Sequence, residues 1–259
     1  MASAPQPQLP LFYKDLMPLN SRDHGKWQAR TVDKATWIAD QHAVPLTVEE
    51  FPIAQRHFPI VFSAGENPVP LALLGLNEGV NVFFDAEGTM TEDVYVPAYV
   101  RRYPFILAKL KPDAEEMSLC FDPTSGILGE FDDGRALFDK DQPSEHTKSL
   151  LEFCEKFEEA GARTQGFIDE INKENLLMDG EVAIQQTDQP DKPYLYRGFR
   201  MIDQEKLKQV SAEKLKQWHD VGLLPLIYAH LFSLDLMRVI FAKQTNQGKG
   251  PAVANAAAS

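Results

Sequence analysis

The 259-residue chain is short of cysteine, of positive charge and of long apolar runs, and each shortage removes a class of function. Its two cysteines, Cys120 and Cys154, form no CxxC. Cys120 ends a strand-like run and Cys154 lies among Leu150, Leu151 and Phe157, so both read as reduced core thiols rather than a disulfide. Lys and Arg number 26 against 38 Asp and Glu, a formal charge of −12. That balance repels phosphate backbones and anionic lipid surfaces, so nucleic acid is not an expected partner. The greasiest stretch, residues 223–234, already contains His230. Asp235, Arg238 and Lys243 follow before a span of roughly 20 residues is complete, so a buried core helix is expected and no membrane span. The first ten residues lack a basic segment and a long apolar one, so no secretory signal is expected and the setting reads as cytoplasmic, with export by another route left open. HExxH, GxSxG, a phosphate-binding glycine loop and the EF-hand spacing are all missing. No metal or cofactor is therefore expected.

What is present is enough for a large core: 44% hydrophobic and 10% aromatic residues. The composition sets flexible tails at 1–10 and 244–259 around a single folded body, 11–243. Short β-prone runs at 57–62, 70–74, 80–84, 106–110 and 117–121 are separated by Gly, Pro and Asp turns, which predicts a meandering, mostly antiparallel sheet in the N-terminal half. Helical spacing follows at 147–160, with Gly161 as its stop, and at 164–177. Strands are expected at 181–186 and 194–202. A helix capped by Ser211 and a last helix entered through Pro225 close the chain. The fold class is α+β, with C-terminal helices packed on the sheet.

Three places can carry chemistry. The segment 94–105 sets Tyr99, Arg101, Arg102 and Tyr103 between prolines, where guanidinium can grip a carboxylate and phenol rings can stack on a ligand. The same residues also suit a tight turn in which the tyrosines pack and the arginines pair with this protein's many carboxylates. His230, one turn from Ser233, suits a general base, yet helical counting puts it in the buried stripe, where it suits a core histidine. His24, on a loop beside Asp23 and Gly25, is sterically free to act, but nothing at fixed spacing completes a triad.

Several segments taken together resemble one bacterial family, the SapC-like proteins. They are residues 17–20 with His24 just after, 58–62, 73–76, 81–83, 95–105, the Tyr196-Arg197-Gly198-Phe199 run, and 224–234 with its closing Tyr-Ala-His-Leu-Phe-Ser-Leu. The resemblance implies a surface-layer context, or an uptake or peptide-modification context beside outer-membrane receptors. It further implies a protein or peptide partner: a halogenase-like or cupin-like enzyme, or a surface protein. It brings no catalytic residues with it. The expected function is a non-enzymatic binding or accessory protein, with Tyr99, Arg101, Arg102, Tyr103, Arg197, His24 and His230 as candidate ligand-binding residues. The alternative is an enzyme or enzyme subunit using His24 or His230 as acid and base, and a structural surface-layer role is a third.

Overall fold

The computed structural model describes residues 9–111, 116–186 and 189–250; residues 1–8 and 251–259, most of the two expected tails, lie outside the described residues. The chain forms two compact units, Met1–Asp33 with Val100–Glu159, and Lys34–Tyr99 with Ala160–Ser259. Every strand pair is antiparallel among the described residues, and helices accompany the sheets in both units, which is an α+β fold.

In the first unit, strands Met17–Pro18, Ser118–Phe121 and Phe105–Ala108 form a three-stranded sheet. Alternation along Phe105–Ala108 sends Phe105 and Leu107 into one cluster with Phe121, Leu137 and Cys154, and Ile106 into another with Tyr13 and Cys120. Asp122, just beyond the sheet, is fully buried and accepts hydrogen bonds from Lys14 N, Thr124 N and Thr124 Oγ1 at 2.7–2.8 Å. Both cysteines are free and buried, as their neighbours imply.

The second unit is built on a five-stranded sheet. Its spatial order is Leu177–Asp179, Phe199–Ile202, Ile60–Ser63, Pro70–Leu73, Ala43–Pro45. Two strands from the C-terminal half thus join three from the N-terminal half, with Phe199 opposite Ser63 and Arg200 opposite Phe62. The register sets Ile60 opposite Ala72 and Val44 opposite Ala72, so Ile60, Phe62, Ala72 and Val44 share one face. All four are fully buried. Phe167, on the helix Glu145–Lys173, stacks on Phe62, and His230, on the helix Leu223–Ser233, lies 4.9 Å from the same ring. The opposite face carries Val61, Ser63, Leu71, Leu73 and Phe199 and is covered less completely.

Several expectations change. The helix Glu145–Lys173 runs through Gly161 without a stop, since twelve further residues of helical periodicity outweigh one glycine. The run 80–84 makes only an isolated bridge, Phe84 to Met90. Its Asn81 is buried, and the side chain donates to Ile38 O and accepts from Phe83 N and Phe84 N, which holds the segment as a turn. Gln244, expected to open a flexible tail, is fully buried in the helix Leu236–Asn246. The stretch expected to be a buried core helix buries only one side: Ile227, Ala229, His230 and Ser233 face in, while Tyr228 and Phe232 face out. By length and composition alone, the helix over residues 223–246 is long and apolar enough to cross a membrane, and a third of an apolar 18-residue window within it is buried.

Candidate functional site

The less covered sheet face of the second unit holds a cavity of about 290 Å³. Its floor follows from strand alternation. Val61 and Ser63 on one strand and Leu71 and Leu73 on the next project to the same side, with Ala43 and Phe199 on the flanking strands. Met237 of the last helix and the ring of Tyr196 close the apolar wall.

Two glycines shape the wall because no side chain fits there. A Cβ on Gly75 would lie 1.9 Å from Val80 O, so the 75–80 turn closes only around glycine. One on Gly180 would strike the Phe199 ring at 2.1 Å, so glycine there leaves room for that ring against the floor. The turn is anchored from below: Gln244 Oε1 accepts from Leu76 N at 2.9 Å, and Gln244 Nε2 donates to Asn77 Oδ1 at 2.6 Å.

The polar lining consists of His42, Ser63, Glu78, Arg197 and Tyr196. Ser63 Oγ is engaged, accepting from Val69 N at 2.9 Å. Arg197 Nε donates to Glu181 Oε2 at 2.6 Å while its side chain stays 64% exposed. Nη2 shares the same oxygen, which leaves Nη1 with no partner among the described residues. The Tyr196 hydroxyl is enclosed by apolar neighbours and finds no acceptor among the described residues; burial pushes it up to about 12, so it remains a neutral phenol.

Arg197 is thus the candidate from the sequence that lines this cavity. The others have local partners. Tyr99 is buried in the second unit. In the first, Arg101 lies over the Phe153 ring. Arg102 is buried against Phe157, 4.1 Å from its centroid, with Nη1 3.3 Å from Glu158 Oε1. Tyr103 donates to Asp122 Oδ2 at 3.4 Å, and burial together with that carboxylate pushes its hydroxyl up to about 12. His24 is buried, edge-on to Trp27 and Phe121, and its Nδ1 accepts from Asn20 N at 3.2 Å.

His230 is sealed, and its chemistry is fixed by its neighbours. Ile60 O, which can only accept, is 2.7 Å from Nδ1; Ile202 N, which can only donate, is 3.1 Å from Nε2. The imidazole must therefore be the neutral Nδ1–H tautomer. Ile202 would be the strand partner of Ile60 if the register continued, so the ring takes over the bond that the ladder would make there. Ser233 Oγ completes the junction, accepting from Ile60 N at 2.8 Å and donating to His230 O at 2.6 Å. The Ala-His-Leu-Phe-Ser run reads as a staple between helix and sheet.

Sequence reasoning singled out neither His42 nor Glu78, and it took Gly75 to Gly79 only as a turn. Leu71 and Leu73 alternating with fully buried Ala72 carry a signal for a half-covered sheet face, but nothing in the sequence says what is missing from that face.

The half-covered antiparallel sheet face thus combines an apolar floor with the guanidinium of Arg197 at its rim, and among the described residues no cluster of His, Cys, Asp and Glu is arranged to hold a metal ion. The chain belongs to the SapC family, whose model matches residues 19–240. No curated protein and no solved structure matches it significantly.

Proposed function

We propose that this protein is a binding or accessory protein whose second unit captures one apolar side chain of a peptide or protein partner. The observation that carries this reading is the size and lining of the cavity. At about 290 Å³ it lies at the low end of small-molecule sites and suits a single leucine-, phenylalanine- or tryptophan-sized group. The floor of Leu71, Leu73 and Phe199 supplies apolar contact, and Arg197 Nη1 at the rim offers donors to a carboxylate. A partner in a peptide-modification or surface-layer setting, such as a halogenase-like or cupin-like enzyme or a surface protein, would present such a residue on an exposed segment. The enzymatic alternative draws no support from His24 or His230, since both are buried and His230 has both nitrogens committed.

The test compares N-acetylated tripeptides ending in phenylalanine as free acid and as amide, by calorimetric titration. The free acid should bind about tenfold more tightly, and Arg197→Ala should abolish the difference while leaving amide binding unchanged. Equal affinity of acid and amide for the wild type would remove Arg197 from the site, and absence of binding by both would remove the cavity.

A further inference from the structure

The helices Leu223–Ser233 and Leu236–Asn246 run on as one rod, because Leu234 and Asp235 between them keep helical dihedrals. One side of the rod, with Ile227, His230, Ser233, Met237, Ile240 and Gln244, is buried in the second unit. At 100° per residue, Pro225, Tyr228, Phe232, Leu236 and Val239 line up on the other side. Phe232 is 68% exposed, Val239 and Tyr228 are exposed, and Val221, just before the rod, is 69% exposed. The Tyr228 and Phe232 rings stack on one another at 5.7 Å. This stripe runs about 21 Å from Pro225 to Val239. The helix Leu223–Ser233 carries apolar residues on its exposed side as well as its buried one, so it has a second face still to cover.

We propose that the stripe is the contact face of a homodimer, with two rods lying antiparallel across a two-fold axis near Leu236. Such an interface must be self-complementary, residue i meeting j and j meeting i. The rod meets that condition twice. An axis near Leu236 sets Phe232 of one copy against the turn containing Val239 of the other. It also brings Arg238 of one copy within reach of Asp235 of the other. Asp235 and Arg238 are both exposed, and neither makes an ion pair among the described residues. Covering the stripe and its flanks on two copies removes roughly 1,000 Å² of surface, the minimum for a specific interface and the size of a weak, reversible dimer. Phe232, aromatic, central and already braced by Tyr228, is the anchor of the contact. A lipid interface fits less well, because Arg238 and Lys243 are the only cations on the rod and the chain carries a charge of −12.

Sedimentation velocity on the full chain at about 10 µM should show a dimer. Phe232→Asp should raise the dissociation constant at least about tenfold, with an unchanged circular dichroism spectrum because the side chain is exposed. Asp235→Arg and Arg238→Asp should each weaken the dimer, and the double variant Asp235→Arg/Arg238→Asp should restore it. A wild type that stays monomeric, a dimer indifferent to Phe232→Asp, or a double variant no tighter than the singles would overturn the proposal. Flotation of the wild type with neutral phosphatidylcholine vesicles, lost in Phe232→Asp, would overturn it in favour of a lipid surface.

Discussion

At His230 a buried imidazole takes the place of a strand partner, and its protonation is tied to the fold. Burial lowers its proton affinity to about 4, against about 6.5 in an unfolded chain. The unfolded state therefore binds the proton more readily across that window. Stability is intact above pH 6.5 and falls as pH drops towards 4, by about 3 kcal/mol from this residue alone. Equilibrium urea unfolding between pH 7 and pH 4.5 should show the decline, and ¹⁵N imidazole shifts should report a neutral Nδ1–H ring in the folded state down to pH 5. A ring that titrates near 6.5 would mean that the site is wet. Ser233→Ala leaves Ile60 N–H without its acceptor in a dry place and should cost about 1–3 kcal/mol. The two thiols make a simpler case. Burial pushes Cys154 up to about 11 and raises Cys120 as well, so neither is a thiolate at neutral pH. An aromatic disulfide reagent should label neither in the native protein and both after denaturation.

Among the elements, the helix Glu145–Lys173 is the clearest test of propensity against context. Gly161 and Gly166 lie inside it, and a methyl group at either would meet nothing within 4 Å. Gly161→Ala should therefore stabilise by about 0.5–1 kcal/mol, raising the melting temperature by about 1–4 °C in a scanning calorimeter. A lower melting temperature would show that the helix needs the glycine. The strands 60–63, 70–73, 105–108 and 118–121 were legible because short β-prone apolar runs and the turn residues bounding them agree there. The run 80–84 has the same composition but no strand neighbour, and Asn81 spends its side chain on the local backbone. The register of Phe199–Ile202 against Ile60–Ser63 was not legible, since about 140 residues separate the partners and either edge of the early sheet could have accepted them. The arginine-tyrosine segment stood out by composition, yet tertiary contacts absorb Arg102 against Phe157 and Glu158, and Tyr103 against Asp122.

For the whole molecule, the proposed function asks an acidic chain with an apolar cavity in one unit and a cation at the cavity rim to select its partner rather than to concentrate it. A charge of −12 gives no long-range attraction to an anion, so the local guanidinium of Arg197 has to supply it at contact. Of the seven residues proposed from sequence, Arg197 is the one that lines the cavity, and it was marked by the family-like Tyr-Arg-Gly-Phe run rather than by any catalytic spacing. The most direct measurement of the central claim is a methyl NMR titration of the full chain with the phenylalanine-terminated free-acid peptide. The shifts should concentrate on the methyl groups of Leu71 and Leu73 and be suppressed when Leu73→Trp fills the cavity. Saturable shifts located elsewhere, or shifts unchanged in Leu73→Trp, would contradict it.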